Sequence, residues 1–402
     1  MVATATLATL LVAALASLFM AWAIGAGSSG STPFAPAVGA NAISIMRAGF
    51  VVGLLGFLGA VLQGQNVTET VGRGLVLFPD GGGLSAPAAV IGLVTAAALV
   101  AAGVFRGYPI ATAFTVTGAV VGVGLAMGGN PAWPKYRQIV ALWVAVPFVG
   151  GGLAYATARL LRAEGVPEEV LVPAMGGVVG AVVANLEFLL LGPPGEATSL
   201  AGLAGARLPV EGVTGVAVAS LVVALVVAAV LAQDLRSDPA AGQRHFLLAL
   251  GGLVAFSAGG SQVGLAIGPL LPLVESGGAG GVDVPLLAVL VGGGLGLLIG
   301  SWTGAPRMIK ALSQDYSSLG PRRSIAALIP SFLVAQTAIF FGVPVSFNEI
   351  IVSAIVGSGY AAGGSSVSRA KMGYTALAWV GSLVLSIVVS FAAFAALDAA
   401  LL

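Results

Sequence analysis

GYPIATAFTVTGAVVG, residues 107–122, lies without a gap against GVPVSFNEIIVSAIVG, residues 342–357, with Gly, Pro, Ala, Val and Gly at matching places. Two Pro-led apolar segments can look alike by composition alone, so the pairing needs support from elsewhere in the chain. That support lies upstream, where Gly39-Ala40-Asn41-Ala42 precedes the first copy and Gly259-Gly260-Ser261-Gln262 precedes the second. Around them, 34–48 and FSAGGSQVGLAIGP at 256–269 are interrupted by Gly and polar residues and read as broken or re-entrant helices. Matched interrupted segments in two halves point to a secondary transporter built from oppositely inserted repeats, with its site at mid-membrane.

The rest of the chain agrees with a lipid setting. Apolar residues make up 58% and charged residues 8%, with a mean hydropathy of +1.06, far from the roughly one quarter charged residues of soluble domains. Apolar runs occur at 3–25, 49–64, 85–105, 109–128, 138–158, 170–192, 212–233, 246–274, 285–302, 324–341, 344–360 and 374–397. A bilayer crossing needs about 20 such residues, so the fold class is an all-α polytopic membrane protein with about ten to twelve transmembrane segments. The run at 3–25 has no basic residue ahead of it and reads as the first crossing rather than as a cleaved signal. The 60 Gly and 21 Pro suit membrane helices, where small residues allow close packing. The chain has no Cys, which removes disulfides and thiolate chemistry. A net charge of +1 offers no basic patch for nucleic acid. Nor is an enzyme indicated: there is no HExxH and no Ser/His/Asp constellation, and the one His, His245, lies in a basic loop.

Basic residues orient the chain. If the loops at 159–169, 235–246 and 303–323 face the cytoplasm, twelve basic residues fall inside and only Arg73, Lys135, Arg137 and Arg207 do not. Counting crossings outward then places both termini outside a multi-pass cell-membrane protein, and 107–122 and 342–357 start from opposite sides. The expected organisation is a first transport half at 1–162, connecting helices at 163–245 and a second half at 246–402. The segment 307–323, basic at both ends, is expected to form a helix lying at the headgroups.

At these motifs the sequence resembles the PiT-type inorganic phosphate transporters. That family carries GANDxAN in each half, continued by Ala-Ile-Gly-Pro in the second copy, and a later PVSTTHxxxG segment. Here the first copy is read as Gly39-Ala40-Asn41-Ala42-Ile43-Ser44-Ile45. The second reads Gly259-Gly260-Ser261-Gln262-Val263-Gly264-Leu265, followed by Ala266-Ile267-Gly268-Pro269. Pro344-Val345-Ser346 with Gly357, and Pro109-Ile110 with Gly118 and Gly122, match the later segment; 54–76 is similar to the stretch after the first motif. The resemblance, from Phe34 onward, implies inorganic phosphate as substrate, Na⁺ as a coupling ion and a homodimer. It also places the family's substrate and sodium positions at Ala42, Ile45, Gln262 and Leu265, where no Asp or Asn remains.

An anion at the bilayer midplane needs donors, and interrupted helices supply backbone N–H groups and the positive end of their dipole. Gly39, Gly259 and Gly260 are expected to let backbone approach the ligand. Asn41, Ser44, Thr112, Ser261, Gln262, Ser346 and Asn348 complete the expected substrate site with side-chain groups, each of which has helix–helix bonding as its plainer role. Glu349 is the candidate coupling group for Na⁺ or H⁺, because an intramembrane acid is costly unless it faces a cavity or a partner. Arg47 is read as snorkelling to the cytoplasmic face, and Glu187 as a structural or oligomer contact on the helix at 170–192. No cofactor is indicated apart from Na⁺ as a possible coupling ion. The reading is a cation-coupled phosphate transporter; sulfate or another oxyanion on the same scaffold, or a membrane receptor that transports nothing, are the alternatives.

Overall fold

The computed structural model describes residues 4–401 except 80, 164, 166, 189–190, 193–196, 210–211, 275–282, 317 and 364–366. It is almost entirely helical. The first half holds α1 (Thr4–Ile24), a π-helical turn (Gly25–Ser29), α2 (Ala35–Gly39), α3 (Ile45–Gln63), α4 (Gln65–Arg73), α5 (Ala86–Arg106), α6 (Thr112–Ala126) and α7 (Trp133–Leu160). A middle unit follows with α8 (Glu168–Ala184), α9 (Leu200–Gly205) and α10 (Val213–Ser237). The second half holds α11 (Pro239–Ile267), a 3-10 turn (Gly268–Leu270), α12 (Leu271–Val274), α13 (Leu286–Gln314), α14 (Pro321–Phe340), α15 (Phe347–Tyr360) and α16 (Arg369–Leu401). Two antiparallel pairs, β1 (Val76–Leu77) with β2 (Asn130–Pro131) and β3 (Glu187–Phe188) with β4 (Thr198–Ser199), pin loops.

Among the described residues, nine helices are long and apolar enough to cross a membrane. The shorter α6, α8 and α15, of 15, 17 and 14 residues, account for the rest of the apolar runs. Each of α6 and α15 starts just after Pro109 or Pro344, because the residue before a proline is driven out of the helical region and the helix nucleates downstream.

The packing of the second half follows that of the first. α1 packs on α5 and α13, while α11 packs on α14 and α3. α5 lies on α6 and α14 on α15; α6 is then held by α16, and α15 by α7, so each short helix is clasped by the last helix of the other half. Backbone meets backbone at these seams. A Cβ on Gly259 would run into the carbonyl of Gly56, on Gly59 into that of Phe256, on Gly357 into that of Gly151 and on Gly122 into that of Ile387. The middle unit is largely its own pair, α8 on α10, with the outer face of α10 exposing Val218, Leu221, Val222 and Leu225.

Three local expectations are corrected. The segment 256–269 is not broken at its glycines: α11 runs unbroken to Ile267, and the interruption comes at Gly268–Leu270, where Pro269 removes a donor. The segment 307–323 is not a separate surface helix, because α13 continues to Gln314 and α14 starts at Pro321. Glu187 is not helical; it sits exposed in β3. The expected outer loop 275–284 falls mostly outside the described residues.

Candidate functional site

Buried polar side chains gather where four segments meet: the π turn after α1, the start of α6, the last turns of α11 and the start of α15. A π turn inserts an extra residue into the helical ladder, and such turns recur at functional sites. Here GAGSSGST, residues 25–32, supplies Ser28, Ser29, Ser31 and Thr32, none more than 3% exposed. Ser31 and Thr32 turn inward on their own backbone, both hydroxyls donating to the carbonyl of Ser28 at 3.2 and 3.0 Å. Ser28 and Ser29 are left for the centre.

Thr112 links the parts. Its hydroxyl donates to Gln262 Oε1 at 2.7 Å and lies 3.4 Å from Ser28 Oγ. Gln262 Nε2 donates in turn to the carbonyl of Val345 at 2.6 Å, at the threshold of α15. Asn348 Nδ2 ties α15 back to the first half through the carbonyls of Gly27 at 2.9 Å and Ile110 at 2.6 Å. After these bonds several atoms remain buried without a hydrogen-bond partner: Ser29 Oγ, Ser261 Oγ, Ser346 Oγ and Asn348 Oδ1. Buried polar atoms are nearly always paired, so these orphans, all on the four joined segments, mark a ligand site among the described residues. It offers hydroxyl donors and one amide acceptor, and no formal charge.

Glu349 comes next on α15 after Asn348, 1% exposed, with Oε2 also unpartnered among the described residues. It lines a cleft of about 850 Å³ that opens between α7 and α16, whose walls include Phe114, Trp143, Pro147, Trp379 and Leu383. A second cleft, of about 780 Å³, opens at the end of the bundle where α3 and α14 terminate, lined by Gln63, Asn66, Asn185, Glu187 and Gln336. On its floor Gln336 Nε2 donates to Ser257 Oγ at 2.7 Å.

The sequence-expected site therefore divides. Thr112, Gln262 and Asn348 are tied into one set of hydrogen-bonded segments, with buried Ser261 and Ser346 adjacent to it in sequence and Glu349 following Asn348. Gly39, Asn41 and Ser44 do not join them: Asn41 and Ser44 are exposed, and a Cβ on Gly39 would meet Leu319 at the bundle's end. Gly259 and Gly260 lie on the same helix as Gln262 but face α3, serving helix contact with Gly56 and Gln63 rather than ligand approach. The segment the sequence reading missed is Gly25–Thr32. Read from Gly25-Ala26, the family motif falls on 25–31, which puts Ser28 and Gln262 at its two Asp positions. Both sit at the Thr112 hydroxyl. Arg47 is exposed.

Comparison with known proteins starts at the same place. Residues 24–390 match the phosphate transporter family, so the match takes in the π turn. A Thermococcus kodakarensis protein provisionally named as a phosphate permease is 29% identical over 90% of this chain and 90% of its own length. The chloroplastic inorganic phosphate transporter 2-1 of Arabidopsis thaliana is 25% identical over 90% of this chain and 68% of that protein. Among solved structures, a sodium-dependent phosphate transporter superposes with a TM-score of 0.78 over 97% of this chain and 99% of that one; at 23% identity it shows a shared fold. With its multi-pass helical fold and a match running from the π turn into α16, the chain belongs to the phosphate transporter family, and it is a membrane transporter rather than an enzyme.

Proposed function

We propose that the chain carries inorganic phosphate across the cell membrane by alternating access at the Ser29–Ser261–Ser346–Asn348 site, driven by a proton carried on Glu349. The single observation behind this is the set of orphaned polar atoms drawn from both halves of an otherwise apolar molecule. Three hydroxyls serve as donors to phosphate oxygens, and Gln262 and Thr112 hold the segments that present them. Asn348 Oδ1 is an acceptor, which a protonated phosphate can use and fully ionised sulfate cannot; phosphate is placed first on that ground.

The coupling assignment rests on charge. The motif positions that are acids in the family are Ser28 and Gln262 here, which leaves Glu349 as the carboxyl nearest the site in sequence. One carboxyl with an unpartnered oxygen suits transfer of a proton, whereas sodium calls for several oxygens at once.

Reconstituted flux tests both parts. Radiolabelled phosphate is expected to enter proteoliposomes under an inward proton gradient without sodium, with excess sulfate competing weakly, and Glu349→Gln is expected to abolish the gradient effect. Uptake driven by sodium alone would move the coupling ion and leave the substrate standing. Preferential inhibition by sulfate would reverse the order of substrates, and absence of oxyanion flux under either gradient would favour the receptor reading.

A further inference from the structure

Two indole groups hold matching points of the two halves. Trp143 Nε1, on α7, donates to the carbonyl of Pro344 at 2.8 Å, and Trp379 Nε1, on α16, donates to the carbonyl of Pro109 at 2.8 Å. Pro109 and Pro344 are the aligned prolines that lead into α6 and α15. Each proline lies three residues before its helix starts, and each carbonyl is held by the last helix of the opposite half. Both indoles are buried, at 6% and 8% exposure, and both line the cleft between α7 and α16.

The two clasped loops approach the centre from opposite ends of the bundle. The loop carrying Pro109 follows α5, which finishes at Arg106 on the end rich in basic residues; the loop carrying Pro344 follows α14, which finishes at Phe340 beside the opposite cleft. Both loops end in site residues: Asn348 and Gln262 bond the Ile110 and Val345 carbonyls, and Thr112 and Ser346 follow directly. A loop that moves away from its indole carries site residues with it and opens the centre towards its own end.

We propose that Trp143 and Trp379 are a pair of positioning residues that fasten the two entrances to the site, Trp379 at the basic end and Trp143 at the opposite end. Alternating access then consists of releasing one clasp while the other holds. Gly357 and Gly122 keep the bodies of α15 and α6 seated on α7 and α16, so the parts that leave the indoles are the loops at Pro344 and Pro109, and the cleft between α7 and α16 gives them room. The proposal rests on the reading of the site as a transport centre reached from both sides, but not on which oxyanion or coupling ion it uses.

The chain contains no Cys, so Ser261→Cys places a single thiol in the site without further engineering. In vesicles of known orientation, a membrane-impermeant thiol reagent is applied from one side and then from the other. Trp379→Phe is expected to raise modification from the basic end, and Trp143→Phe from the opposite end. Each shift is expected to be about five-fold in the ratio of the two rates, the equilibrium factor of one ordinary hydrogen bond. Trp379→His and Trp143→His keep a ring N–H and are expected to lie between wild type and the Phe variants. They also carry the test if a Phe variant does not fold. Shifts of the same sense for both tryptophans, His variants displaced as far as Phe variants, or unchanged ratios would each overturn the clasp. Opposed shifts, where the chain with Ser261 intact moves no phosphate, would leave the clasp standing and reject the proposed substrate.

Discussion

Asn41 has φ of +59°, the one positive value among described residues other than glycine, at the turn between α2 and α3. Asn tolerates this left-handed conformation better than most side chains, and Gly tolerates it best. Its work is local geometry at an exposed turn. Asn41→Gly is expected to leave both melting temperature and phosphate flux near wild type, while Asn41→Ala costs about 1 kcal/mol of stability without changing the apparent KM. Gln262→Leu is expected to behave oppositely. It strips the partners from the Thr112 hydroxyl and the Val345 carbonyl, and flux falls about ten-fold or more, as expected when buried groups lose partners worth roughly 1–3 kcal/mol each. The polar residues of α6, α11 and α15 were legible because each interrupts an apolar run inside a recognisable motif. Gly25–Thr32 was not, because it forms the tail of the first apolar run, and Gly39-Ala40-Asn41 offered a closer copy of the motif's opening letters. The overlooked signal was hydroxyl density: Ser28, Ser29, Ser31 and Thr32 follow a run of more than twenty almost wholly apolar residues.

For the helices, small residues decide which faces meet. Gly259 was expected to bare its backbone to a ligand; instead it bares it to Gly56. Sequence alone does not separate these uses, since both need a position without a side chain, and only the partner across the gap tells them apart. The distinction can be measured by melting in detergent. Gly259→Ala and Gly357→Ala must push apart helices already in backbone contact and are expected to lose about 1–3 kcal/mol, the usual cost of overpacking. Gly152→Ala, on α7 next to the Gly151 that Gly357 meets but with open space where its own Cβ would stand, is expected to be neutral or to gain up to about 1 kcal/mol from helix propensity. The helix count was legible for a different reason. Length and apolarity are properties of a single run, whereas a break in α11 depends on whether Gly259 and Gly260 are supported by neighbours, and α3 supports them.

Across the whole molecule, the basic end is drawn shut by side chains that bind helix ends. Arg162 donates to the Ala361 carbonyl at 3.1 Å and Arg307 to that of Phe105 at 2.9 Å, each cation meeting a C-terminus whose dipole favours it, and Arg244 donates to the carbonyl of Ala42, in the turn before α3, at 3.0 Å. Arg322 bonds Glu168 at 2.6 Å and Lys371 bonds Asp315. Next to that last pair, fully buried Tyr316 meets Thr375 Oγ1 at 2.8 Å, and burial pushes its hydroxyl pKa from 10.0 up to about 12. Below pH 10 this hydroxyl is protonated in folded and unfolded chains alike. Between 10 and about 12 the unfolded chain ionises first, so stability is lost as pH rises. A series of melts is expected to show a decline above pH 10 that is shallower in Tyr316→Phe; identical slopes would mean that the hydroxyl makes no contribution.

The glycine seams restrict what a transport stroke can be. Where main chain lies directly on main chain there are no rotamers to exchange and no interlocking side chains to re-mesh, so partners such as α3 with α11 travel as one stiff girder. Any rocking of whole helices has to occur between girders, along lines where bulky groups and vacant volume remain, such as the gap flanked by α7 and α16.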